Sequence, residues 1–91
     1  MKLYRDKRTG KKLYPVCSWE ANQHKLYNAY DRACNNYYDT GDFEEMEKLE
    51  HLISVFDSYV INGMVYAPYE EYKQIKDYIV AYDIRKGWRS A

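Results

Sequence analysis

Phenylalanine is scarce in this chain of 91 residues: it occurs twice, against twelve tyrosines. Aliphatic residues are few as well, with five each of leucine, isoleucine and valine. So little aliphatic content signals disorder when the net charge is high. Here fourteen lysines and arginines balance fourteen aspartates and glutamates, and the chain reads as one folded domain, residues 1–91, whose core borrows tyrosine. A phenol ring is apolar but its hydroxyl needs a partner when buried. Such rings suit core edges and binding surfaces.

Other shortages exclude whole classes. No run approaches the ~18 apolar residues of a membrane span, and the charged N-terminus lacks the apolar stretch of a secretory signal. Two cysteines, Cys17 and Cys34, are too few for a disulfide scaffold. They are expected to be reduced thiols of a cytoplasmic protein. Two prolines and four glycines leave no low-complexity segment. Cys17, His24, Cys34 and His51 lack the close pairing of zinc ligands, so neither a metal nor another cofactor is expected. Neither cysteine sits in an activating signature, and no phosphate-binding loop, dinucleotide fingerprint or nucleophile elbow is present. The reading is therefore non-enzymatic, with cysteine- or acid-dependent catalysis as the third choice.

Local signals order the elements as ββ-α-α-ββ-α, an α+β, helix-dominated fold. Tyr4 and Tyr14, with Leu3 and Leu13, flank a polar turn ending in Gly10, which predicts an N-terminal hairpin over 2–14. In that hairpin Leu3 and Leu13 share one face and Tyr4 and Tyr14 the other. Pro15 is expected to end the second strand or confine it to an edge. Ser18 caps a helix over about 18–39, with Leu26, Tyr30, Ala33 and Tyr37 on its apolar stripe. Gly41 stops it. Asp42 and Glu45 resemble a capping box opening a helix over 42–58, whose apolar face carries Phe43, Met46, Leu49, Leu52, Ile53 and Phe56. Asn62-Gly63 between β-branched and aromatic residues predicts a tight hairpin over 59–66, paired with the N-terminal one or packed on the helices. Pro68 opens a third helix over about 68–86, with Tyr72, Ile75, Ile79 and Tyr82 inward and Gly87 as its stop.

The zero net charge hides segregation. Lys2, Arg5, Lys7, Arg8, Lys11 and Lys12 crowd the first hairpin, while Asp39, Asp42, Glu44, Glu45, Glu47 and Glu50 crowd the start of the second helix. Tyr30, Tyr37, Tyr59, Tyr66, Tyr72 and Tyr82 find interior places on this pattern. Tyr4, Tyr14, Tyr27, Tyr38, Tyr69 and Tyr78 do not. A domain this small rarely exposes a contiguous aromatic patch without using it.

The leading expectation is a small binding protein that occludes or bridges a macromolecular partner. Asp42, Glu44, Glu45 and Glu47 would face a basic protein surface, with Tyr27, Tyr38, Tyr69 and Tyr78 as anchors. A phage or mobile-element inhibitor of a host nucleic-acid enzyme is one concrete form. A symmetric homodimer is another way to cover the rings. The alternative is a nucleic-acid module built from Lys2, Tyr4, Arg5, Lys7, Arg8, Lys11, Lys12 and Tyr14, with cations for phosphates and rings for bases.

Overall fold

The structure, a computed structural model, describes residues 4–90. Seven elements follow one another: β1 (Tyr4–Arg5), β2 (Lys12–Ser18), α1 (Trp19–Thr40), α2 (Glu44–Ser58), β3 (Val60–Ile61), β4 (Met64–Ala67) and α3 (Tyr69–Arg85). The α+β, helix-dominated reading holds. The two hairpins join through β2 and β4 into one antiparallel sheet of order β1-β2-β4-β3.

The element ends come from local chemistry. Ser18 Oγ accepts the Ala21 amide at the start of α1, and Gly41 closes it in the left-handed region at φ 77°. The Gly41 amide donates back to the Tyr37 carbonyl at 2.7 Å. Asn62 (φ 52°) and Gly63 (φ 80°) both hold positive φ, as the tight turn between β3 and β4 demands. After α3, the Gly87 amide donates to the Ile84 carbonyl and the Trp88 amide to the Asp83 carbonyl. That paired closure folds the Trp88 ring back onto Tyr82, 5.8 Å between centroids.

Four expectations need correction. Arg5 pairs with Lys12 and Tyr4 with Leu13, so Tyr4 shares a face with Leu13 and lies opposite Tyr14. An even number of residues between Arg5 and Lys12 sets this register, and a slip of one residue flips every side chain. Leu3 lies outside the described residues. Pro15 does not end β2, which runs on to Ser18; it pairs with Tyr66 of β4 and is followed by a bulge before Cys17, beyond the residues, Lys12 and Leu13, that pair with β1. Asp42 Oδ1 accepts the Glu44 amide at 3.1 Å, but Glu45 turns to Tyr78 instead of back to the helix start. The second helix therefore begins at Glu44 without a reciprocal box. Tyr37 is exposed, because its ring turns to Tyr38 and Phe43 at the α1–α2 turn and not to the core.

The core lies between one face of the sheet and all three helices. Val16, Val65 and Ala67 meet Leu26, Ala29 and Ala33 of α1, Leu49, Leu52 and Phe56 of α2, and Ile75 and Ile79 of α3. Leu13 is 3% exposed, yet the register puts it on the opposite face with Tyr4, Pro15 and Tyr66. There the Tyr4 and Tyr66 rings meet edge-on at 4.9 Å.

One polar pair enters this interior. Lys25 of α1 donates to Asp83 of α3 at 2.9 Å, with both side chains nearly buried. The Tyr82 and Trp88 rings stand 5.8 and 5.7 Å from the ammonium, and Arg89 reaches the second carboxylate oxygen at 3.7 Å. Breaking a buried pair strands a charge, whereas replacing both members with apolar groups is close to neutral. Asp83→Ala should therefore cost about 3–5 kcal/mol in urea unfolding, and Lys25→Met/Asp83→Leu far less. Equal losses in the two variants would contradict this account.

Candidate functional site

The exposed rings gather at two places with opposite charge. The first is the turn from α1 into α2. Tyr38 is 82% exposed, Phe43 49% and Tyr37 39%. Tyr37 meets Tyr38 at 5.9 Å and Phe43 at 6.4 Å, both edge-on. Asp39, Asp42, Glu44 and Glu47 surround them, all exposed. No cation occurs between Arg32 and Lys48, and the last turn of α1 holds none. Acids suit the start of α2 but oppose the negative end of the α1 dipole. The turn thus carries a negative surface, offset by the start of α2 but by no cationic side chain between Arg32 and Lys48, beside apolar rings.

The second cluster lies where the start of β2 meets the start of α3. Tyr69 and Tyr72 stack at 6.0 Å with 18° between planes. Tyr14 leans on both, at 5.6 and 6.0 Å. Each ring carries one ammonium: Lys12 over Tyr14 at 5.1 Å, Lys73 over Tyr69 at 5.3 Å and Lys76 over Tyr72 at 5.6 Å. A groove of about 300 Å³ runs between Lys11, Lys12 and Tyr14 on one side and Pro68, Tyr69, Glu70 and Glu71 on the other.

The structure distributes the sequence-derived candidates unevenly. Asp42, Glu44 and Glu47 join Tyr38 at the acidic turn, whereas Tyr69 belongs to the basic cluster. Tyr78 is half-buried, and its hydroxyl donates to Glu45 at 3.0 Å. Tyr27 donates to Asp57 at 3.4 Å on another flank of α1. In the basic hairpin, Arg5 donates to the Gly10 carbonyl at 2.9 Å. Asp6, held below the usual carboxylate range chiefly by the Arg8 amide, also accepts the Tyr59 hydroxyl at 3.1 Å. Lys7, Arg8 and Lys11 line a groove of about 610 Å³ facing α2. Lys2 lies outside the described residues, and Tyr4 sits on the other face of the sheet from Tyr14. Sequence reasoning missed Tyr37, Phe43, Tyr72, Lys73 and Lys76 as surface partners. The pairs Tyr69–Lys73 and Tyr72–Lys76, each four residues apart on α3, were the available signal.

Cys17 lies on β2 and Cys34 on α1, both free thiols. His24 meets the Tyr82 ring edge-on at 5.4 Å, and His51 meets Glu71 at 3.3 Å. Among the described residues, no three His, Cys, Asp or Glu side chains come together as a metal site, and no helix is long and apolar enough to cross a membrane. Comparison with protein-family models, curated proteins and solved structures finds no match to this chain. Functional inference therefore rests on the surface itself.

Two chemical consequences can be measured. Burial pushes the Cys17 thiol up to about 11, the reverse of what a nucleophile needs. At pH 8 about one thiol in a thousand is ionised on that basis, so folded Cys17 should alkylate roughly a hundredfold more slowly than in urea. Equal rates would contradict its burial. Tyr78, chiefly through burial and then Glu45, and Tyr30, chiefly through its bond to Glu50, are both pushed up to about 12. A phenol raised above its unfolded value of about 10 supports the fold fully below that pH and loses its contribution as pH climbs through the folded value. Stability should therefore decline between pH 10 and 12 in step with late phenolate absorbance, and Tyr78→Phe should flatten the decline. An unchanged profile in Tyr78→Phe would remove Tyr78 from the account.

Proposed function

We propose that this chain is a non-enzymatic binding protein that captures a protein partner through the acidic, ring-bearing turn between α1 and α2. The observation that carries the reading is the coincidence of three touching, exposed rings with four carboxylates and no cation. Rings supply hot-spot area with little rotamer freedom to lose. The carboxylates, reinforced by the end of α1, select a basic surface and speed encounter with it. A basic groove that otherwise holds nucleic acid fits both requirements, and occluding such a groove is how a phage or mobile-element inhibitor of a host enzyme would act. Its unpaired thiols suit a reducing cytoplasm.

The test compares immobilised wild-type chain with two variants in capture from lysate, with bound proteins identified by mass spectrometry. Asp42→Lys/Glu44→Lys/Glu47→Lys should abolish capture of a basic partner, and Tyr38→Ala should weaken it about tenfold or more. Circular dichroism checks the fold, because charge reversal at the start of α2 costs about 0.3–1 kcal/mol per residue. Undiminished capture by the triple variant would overturn the reading. Light scattering separates it from a homodimer, for which the wild type alone would show twice the monomer mass and Tyr38→Ala would not.

A further inference from the structure

The basic cluster carries a second and different surface. We propose that Tyr14, Tyr69 and Tyr72, with the lysines over them, form a stacking platform for single-stranded nucleic acid. Two features meet there that neither hairpin nor helix holds alone. The rings are contiguous, and Tyr69, 51% exposed, stands at the edge of the groove. Each ring has its own ammonium over it at 5.1–5.6 Å, and a base that takes the ammonium's place on the ring leaves that flexible cation beside its phosphate.

The cations continue beyond the platform. Lys11 borders both this groove and the larger one that contains Lys7 and Arg8. A positive track thus leads from α3 across the start of β2 to the hairpin turn. Three carboxylates lie along it. Asp6 accepts the Tyr59 hydroxyl and the Arg8 amide, and Glu71 holds His51. Glu70 stands beside Tyr69 in the groove. Hydrogen bonds do not cancel these three charges, but Lys7, Arg8, Lys11, Lys12, Lys73 and Lys76 outnumber them. Zero net charge over the whole chain hides this local excess, because six of the fourteen acids lie within residues 39–50.

The ring geometry selects the ligand. An acidic peptide needs the cations but has no use for a stack of phenols. A duplex offers phosphates but keeps its base faces covered. An unpaired strand uses both. Tyr4 lies on the other face of the sheet from Tyr14, and the platform draws its other rings from α3.

The experiment is fluorescence anisotropy with the full chain and a labelled single-stranded oligothymidine or oligouridine, beside a duplex of equal length. Single strands should bind more tightly than duplex. Affinity should fall with salt with a log–log slope of about −3 if Lys11, Lys12, Lys73 and Lys76 each neutralise one phosphate. Tyr69→Ala should weaken single-strand binding about five- to hundredfold. Lys73→Glu should weaken it too and flatten the salt slope, and Tyr38→Ala should leave it unchanged. Tyr69 lies outside the core, so its loss leaves the fold intact, which circular dichroism verifies. Three results would overturn the proposal: no binding at low salt, equal binding of duplex with no effect of Tyr69→Ala, or displacement by polyglutamate as efficient as by unlabelled strand. The last outcome would make the surface a site for acidic protein.

Discussion

The antiparallel pairing of β2 with β4 is the constraint on which the rest depends. Each hairpin alone is a short ribbon of marginal stability. Joined, they give a sheet with one apolar face broad enough to seat three helices. β4 runs through Pro68 directly into α3, so the pairing also decides what stands beside the first turn of that helix. Tyr14 pairs with Ala67, which brings residues from the beginning of the chain against Tyr69 and Tyr72. The bulge at Val16 serves the same joint: it presents both Val16 and Cys17 to the core.

Tyrosine abundance has a structural counterpart in the acids. Four phenol hydroxyls meet carboxylates on other elements: Tyr27 with Asp57, Tyr30 with Glu50, Tyr59 with Asp6 and Tyr78 with Glu45. Tyr30 and Tyr78 also fill space at the border of the small aliphatic core, and each of the four hydroxyls ties two segments together. Phenylalanine would fill the same space without the tie. The equality of acids and bases therefore understates how differently they are used. Part of the acidic complement is spent on phenols, and Asp39, Asp42, Glu44 and Glu47 gather at one turn. Ammonium groups instead lie over ring faces, among them Lys48 over Tyr78 at 5.4 Å.

Element boundaries were legible because they depend on neighbours in sequence. Ser18, Gly41, Asn62-Gly63, Pro68 and Gly87 each act within a few residues, and each does in the fold what its chemistry requires. The apolar stripes of α2 and α3 were legible for the same reason. Register was not: nothing in residues 4–14 distinguishes an odd from an even turn, and that parity decides which way Tyr4 points. Lys25 was hidden because a stripe is read from apolar residues, while its carboxylate lies 58 positions away. Tyr37 shows the converse, since periodicity marks a face but not where a ring on it turns. The basic ring cluster arises from tertiary placement, and only the lysines four residues after Tyr69 and Tyr72 left a trace of it in the linear pattern, whereas Tyr37, Tyr38 and Phe43 fall within seven residues of sequence.

The ion pair between α1 and α3 bears on how the protein is made. Lys25 leaves the ribosome 58 residues ahead of Asp83, a delay of roughly 3–12 s at ordinary rates of synthesis. Through that interval its ammonium stays in water, and the face of α1 that carries it stays open. That face is completed only by α3 and the Trp88 ring, so the interior around Lys25 depends on residues 69–88 and is lost first if they are displaced.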